Sequence, residues 1–234
     1  MQAVILAGGK GTRLRPYTMY IPKPLLPVNE YPILDIILRQ LKHYRVSEVV
    51  ISTGHLAELI QAYCGRGKRW GLKIRYVKEE KALGTAGAIK NIKGLEDNFI
   101  VMNGDILTDL DYRHLFDFHL KNKAAMTLAT IKRVEASDFG VLNFDKQFKL
   151  TGLVEKPKRY EYISIGINVL SKKCRKYIAK DESLGIPDLV SRMQKKEDIF
   201  CCETDAYWLD IGKVGDYKVA QEEFQKNKAK VFYD

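Results

Sequence analysis

The chain has 234 residues, a formal net charge of +10, 46% hydrophobic residues and 29% charged ones. This length buries one sizeable core, and the balance excludes a disordered, collagen-like or helical membrane-spanning chain, since no apolar run approaches the ~18 residues a bilayer requires. The basic charge admits a nucleic-acid surface, a phosphorylated small ligand or a solvated exterior; lysines and arginines scattered without interleaved aromatics argue against specific nucleic-acid recognition.

The first predicted element is a buried strand, Ala3 to Ala7, which runs straight into a glycine loop. No basic segment precedes its apolar run, so a secretory leader is not expected and the protein is assigned to the cytoplasm. After prolines 22, 24 and 27, helical spacing of Ile33, Ile36, Ile37 and Leu41 predicts an amphipathic helix from Pro32 to Tyr44. Strand Val49 to Ser52, helix Leu56 to Tyr63, strand Lys73 to Val77 and helix Ala86 to Ile92 follow. A strand from Phe99 to Met102 then ends in Asn103-Gly104-Asp105, with a helix from about Tyr112 to Lys121 beyond it. This alternation predicts parallel βαβ units with ligands outside the carboxyl ends of the strands.

The second half reads differently. Met126 to Lys132, Gly140 to Phe144, Lys149 to Val154 and Ile163 to Leu170 are strands joined mostly by short turns, which predicts some antiparallel sheet. A helix from Lys213 to Phe224 closes the pattern, and Gln225 to Asp234 is expected to fray. The expected fold is one α/β domain over residues 1–234, a three-layer α/β/α sandwich around a Rossmann-like, mainly parallel mixed sheet. Cys64, Cys174, Cys201 and Cys202 read as reduced structural thiols, and the four histidines show no zinc spacing.

The chemistry-bearing residues begin at Gly8-Gly9-Lys10-Gly11-Thr12-Arg13-Leu14-Arg15-Pro16. Three glycines let backbone N–H groups converge on anionic oxygens, and two arginines add bidentate donors, so a phosphate chain is the natural ligand. The loop is neither a Walker A sequence, because Gly11 follows Lys10, nor a dinucleotide fingerprint, because Leu14 stands where the third glycine belongs. Alone, such a turn serves equally well as a tight connection. Asp105 reads as a cap for the next helix or turn, Asp210 as a turn residue, Lys23 as an exposed loop charge held between two prolines, and Glu155-Lys156 as a surface pair.

Gly8 to Pro16 with Pro22-Lys23-Pro24 resembles the signature of the sugar-phosphate nucleotidyltransferases, GGxGTRLxPxT followed by PKP. Leu83-Gly84-Thr85-Ala86-Gly87, Asn103-Gly104-Asp105, Phe139-Gly140-Val141, Glu155-Lys156-Pro157 and Trp208-Leu209-Asp210-Ile211-Gly212 resemble further motifs of that family, in order, over residues 1 to about 224. The resemblance implies a nucleotide site of Leu6, Gly8, Gly9, Gly11, Thr12, Arg13, Gly84, Thr85 and Gly87, with the loop glycines around the phosphates. Lys23 and Arg13 would be catalytic, Asp105 and Asp210 would hold Mg²⁺, and Asn103, Gly140, Glu155, Lys156 and Gly166 would hold the sugar phosphate. It also implies an NTP-binding half, 1–123, a sugar-phosphate half, 124–224, no β-helix extension, and a possible homo-oligomer, dimer or tetramer.

These residue types suit transfer of a nucleoside monophosphate from an NTP to a sugar 1-phosphate. The phosphate nucleophile has a second pKa of ~6, so it is already ionised at neutral pH and no histidine base is required. Two polyanions must instead be aligned and neutralised, which Mg²⁺, lysine and arginine do. Glu79-Glu80-Lys81-Ala82-Leu83-Gly84-Thr85-Ala86-Gly87 resembles the pattern of mannose-1-phosphate guanylyltransferases more than that of glucose-1-phosphate thymidylyltransferases, so GTP is favoured. Ala82 departs from the usual proline, and Ser164-Ile165-Gly166-Ile167-Asn168 from the usual I-N-A-G-[IM]-Y, which leaves a heptose, a modified hexose or thymidylyl, uridylyl or cytidylyl transfer open. A non-catalytic nucleotide-sugar-binding subunit is the alternative from another class.

Overall fold

The computed structural model describes residues 1–233. Its first half alternates as expected: β1 (Gln2–Ala7), a hairpin-like pair β2 (Pro27–Val28) and β3 (Tyr31–Pro32), α1 (Ile33–His43), β4 (Glu48–Thr53), α2 (Ala57–Cys64), β5 (Lys73–Lys78), α3 (Gly84–Asn91) and β6 (Asn98–Asn103). Then come β7 (Ile106–Thr108), α4 (Tyr112–Lys121), β8 (Met126–Ala136), β9 (Val141–Phe144), β10 (Leu150–Val154), β11 (Lys158–Ser171), α5 (Ile186–Met193), β12 (Ile199–Glu203), β13 (Trp208–Asp210) and α6 (Val214–Val231).

Seven strands form one sheet in the order β12-β8-β11-β6-β1-β4-β5. Only β11 runs against its neighbours; β6, β1, β4 and β5 are mutually parallel, as are β8 and β12. The antiparallel character expected of the second half is thus one strand of the main sheet, the separate β9–β10 ribbon and the short pairing of β13 with β7. Both faces are covered, so the middles of the central strands are apolar on both faces rather than alternately. The two-residue period sorts them: Ala3, Ile5, Ile100 and Met102 join the core under α1, α2, α4 and α6, while Val4, Val101 and Phe99 join the one under α3 and α5.

Three outcomes differ from the sequence reading. The C-terminal segment does not fray: α6 runs to Val231, which is 1% exposed, and Tyr31 and Phe232 pack with ring centroids 4.2 Å apart. A hydrophilic helical face hides these few buried anchors from a periodicity count. Strands β7, β12 and β13 and helix α5 were not expected; β7 and β13 are three residues each, too short for a period to register. Finally β8 and β11 extend beyond the expected ends, pairing Lys132 with Tyr162 and Ala136 with Lys158 as an exposed arm that also carries β9 and β10.

Candidate active site

The order of the sheet reverses between β1 and β6, and the crevice outside their carboxyl ends is where this kind of sheet binds ligands. The glycine loop leaves β1 there and passes into a short 3-10 turn, Thr12–Leu14, anchored by buried Leu14 and by Thr18, whose Oγ1 donates to the Gly11 carbonyl at 2.7 Å. Lys23 opens a second 3-10 turn between buried Pro22 and Pro24, which fix its backbone. Asp105 lies just past β6. The β7–β13 ladder pairs Ile106 with Asp210, and Ile211 N–H donates to the Asp105 carbonyl at 3.1 Å, so carboxylates about a hundred residues apart meet. Asp105 caps no helix; Asp111 caps α4, its Oδ1 accepting from His114 N–H at 2.8 Å.

Lys23 Nζ donates to Asp105 Oδ2, with side chains 13% and 19% exposed. The other oxygen, Asp105 Oδ1, is buried without a partner. The Asp210 carboxyl is raised above the usual range by burial first and by Asp105 second, against the opposing pull of Lys23 and Arg13. Two neighbouring carboxylates, one with a buried unpaired oxygen, fit a hard divalent cation. Among the described residues no group of three or more His, Cys, Asp or Glu side chains gathers to cage a metal. A pair of carboxylates suits Mg²⁺, which takes one or two together with phosphate oxygens and water.

The crevice divides into three joined lobes. One, about 320 Å³, is walled by Gly9, Gly11, Thr12, Arg13, Lys23 and Asp105. The next, about 280 Å³, shares Leu6, Gly9 and Asp105 with it and adds Gly8, Glu79, Ala82 and Gly84. The third, about 450 Å³, continues past Leu6, Thr85 and Asn103 to Ser164, Gly166 and Asn168. Gly84 has a φ of +69° and an added Cβ would come within 2.6 Å of the Leu184 carbonyl oxygen; Gly166 has a φ of +74° and one would come within 2.9 Å of Asn103 Nδ2. A larger cavity, about 660 Å³, lies at the opposite end of the sheet beside His119 and Lys172 and contains none of the motif residues.

Leu6, Gly8, Gly9, Gly11, Thr12, Arg13, Lys23, Gly84, Thr85, Asn103, Asp105 and Gly166 therefore line the crevice, with Asp210 beside Asp105. Gly140, Glu155 and Lys156 do not line it; they sit on the exposed arm, where an added Cβ on Gly140 would come 2.8 Å from Glu155 Oε2. Nor does buried Gly87, where a Cβ would come 2.3 Å from the Glu182 carbonyl oxygen, so helix-to-loop packing accounts for that glycine. Among the lining residues that the motifs did not assign to the site, two carry polar side chains deep in the crevice, Glu79 and Asn168. Glu79 is held by Ser52 Oγ, donating to Oε1 at 2.7 Å, and by Leu83 N–H, donating to Oε2 at 3.2 Å. Its position just before the Leu83-Gly84-Thr85 turn was the available signal; Asn168, on the inner half of β11, stood out in the sequence only as a departure from the usual I-N-A-G-[IM]-Y pattern.

The family model for nucleotidyl transferases matches residues 2–227. The chain is 33% identical to a D-glycero-α-D-manno-heptose 1-phosphate guanylyltransferase of Aneurinibacillus thermoaerophilus, over 96% of this chain and 99% of that one. It is also 33% identical to a UTP–glucose-1-phosphate uridylyltransferase of Synechocystis, over 93% of this chain but only 61% of that relative's length. The crystal structure of HddC from Yersinia pseudotuberculosis superposes with a TM-score of 0.74 at 30% identity, covering 95% of this chain and 99% of that one. Fold, motif order and extent agree, and the chain belongs to the nucleotidyl transferase family.

Proposed function

We propose that the chain is a sugar-1-phosphate nucleotidyltransferase of the cytoplasm that transfers GMP from GTP to a sugar 1-phosphate and releases pyrophosphate. The observation that carries this reading is the convergence of the glycine loop, Arg13, Lys23, Asp105 and Asp210 at one crevice. A phosphate oxygen of the sugar attacks the α-phosphorus of GTP in line; a new P–O bond forms as the α–β bond breaks, and the electron pair leaves on pyrophosphate. Asp105 and Asp210 would hold Mg²⁺, which as a Lewis acid offsets charge on the phosphate oxygens. Gly9 and Gly11 admit the phosphates closely, Arg13 neutralises the leaving group, and Lys23 holds its charge beside the carboxylates where the α-phosphate must pass.

The middle lobe supports guanine as the base. Each Glu79 oxygen accepts one hydrogen bond from the protein and keeps a second lone pair for a ligand. Guanine offers a matching pair of donors, N1–H and N2–H, whereas uracil and thymine flank their single N–H with carbonyls that a carboxylate repels. The guanylyltransferase relative agrees with this choice and the uridylyltransferase relative supports the second reading, UTP. Gly140, Glu155 and Lys156 on the arm are proposed as further contacts to the sugar phosphate, and self-association as a dimer or tetramer belongs to the same reading. Pyrophosphate release measured with GTP, UTP, CTP, dTTP and ATP against hexose and heptose 1-phosphates tests it. GTP is expected to lead, and a preference for UTP would overturn the guanine assignment while leaving the reaction class intact.

A further inference from the structure

The third lobe has a particular construction. Its floor is one row across the sheet, because Asn168 on β11 lies opposite Val101 on β6 and Leu128 on β8, and paired residues face the same side. Its roof comes from α5, through Ile186, Pro187 and Val190. Between these apolar walls Asn168 is 2% exposed, and its Oδ1 is buried without any hydrogen-bond partner. Leaving a buried amide oxygen unpaired destabilises the fold, and Leu there would avoid that cost. A side-chain amide that destabilises the empty protein and lines a cavity continuous with the reaction crevice is explained by a ligand that pairs with it.

We propose that this lobe receives the exocyclic arm of the sugar 1-phosphate and that Asn168 is a specificity-determining residue whose side-chain amide hydrogen-bonds that arm's hydroxyl. The assignment rests on the transfer reading above. Phosphates occupy the lobe at Gly11 and Arg13 and the base the lobe at Glu79, which leaves the Asn168 lobe for the sugar. Its polarity selects the part. A pyranose ring presents hydroxyls all round, whereas this lobe has polar groups at its mouth, Thr85, Asn103 and Ser164, then carbon walls and a single amide on the floor. Carbon flanks ending in one hydroxyl match that profile, so the substrate class is a sugar 1-phosphate with a hydroxylated carbon outside the ring, as in a hexose or heptose, and not its deoxy analogue.

The test compares kcat/KM for a hexose 1-phosphate and its 6-deoxy counterpart, with a heptose 1-phosphate alongside, in the wild-type protein, Asn168→Leu and Asn168→Ala at saturating GTP, and the KM for GTP is measured separately at saturating sugar phosphate. The wild type is expected to favour the hydroxylated sugars by ten- to hundredfold, and both variants to reduce that ratio towards one with the KM for GTP unchanged. Asn168→Leu should melt at or above the wild-type temperature, since no internal hydrogen bond is lost; should it fail to fold, Asn168→Ala carries the comparison. An unchanged ratio in a folded, active variant, or a change confined to the KM for GTP, overturns the assignment of the lobe. Wild-type silence on every sugar phosphate overturns the transfer reading itself, and this inference with it.

Discussion

Replacing Lys23 by methionine keeps much of the side-chain volume and removes one charge from the centre of the site. The Lys23–Asp105 pair is neither a surface pair, worth about 0–1 kcal/mol, nor a fully buried one, whose breaking costs about 3–5, because its side chains remain 13% and 19% exposed. An intermediate cost of about 2 kcal/mol follows, with Asp105 left facing Asp210 uncompensated. For a domain of this size that lowers the melting temperature by roughly 4–8 °C. Transfer should fall further, by about a hundredfold in kcat/KM, since a preorganised charge at the reacting phosphate is worth ~3 kcal/mol. Added Mg²⁺ should recover part of the lost melting temperature, by neutralising the carboxylates, without restoring the rate. Calorimetric melts with and without Mg²⁺, paired with pyrophosphate release, separate the two effects. A Lys23→Met protein that melts with the wild type and loses less than fivefold in activity would refute the reasoning.

Glu79→Gln should keep the fold, because its one amide oxygen accepts from Leu83 N–H while its NH2 donates to the Ser52 hydroxyl, yet present an N–H to guanine; the preference for GTP over UTP in kcat/KM is expected to fall ten- to hundredfold in a competition assay. His119 is 1% exposed, with Nδ1 2.9 Å from Thr127 Oγ1 and Nε2 3.0 Å from Asn98 Oδ1, and burial pushes its pKa down to about 4. An unfolded histidine protonates near 6.5 and the folded one resists, so this contribution to stability is complete above ~6.5 and lost as pH falls towards 4, by about 3 kcal/mol. Denaturant unfolding at pH 7, 5.5 and 4 should show a shallower pH dependence for His119→Gln than for the wild type; parallel curves would contradict the neutral, buried histidine.

Much of this molecule is legible in its sequence, for physical reasons that vary along the chain. Strand β1 announces itself by a continuous apolar run and helix α1 by the helical spacing of its apolar residues, while the glycine loop pointed to phosphate only in company with the later motifs. Asp105 and Asp210 were readable only through motif resemblance, since the β7–β13 ladder that joins them consists of two three-residue strands with no periodic signal. The arm's length was hidden because a two-stranded ribbon exposed on both faces has no buried face to impose alternation: Tyr160 and Tyr162 are 56% and 58% exposed. Asn168 needed the structure outright, for an amide in a strand means little until its oxygen is seen to lack a partner.

The central claim is tested most directly by ³¹P NMR of the protein with GTP and mannose or heptose 1-phosphate, with and without Mg²⁺, and with Asp105→Ala alongside. The account predicts that the GTP and sugar phosphate resonances give way to those of a nucleoside diphosphate sugar and pyrophosphate in equal amounts, only with Mg²⁺ and Asp105 present. GTP that remains intact, or one that breaks down to GDP and phosphate, would contradict it.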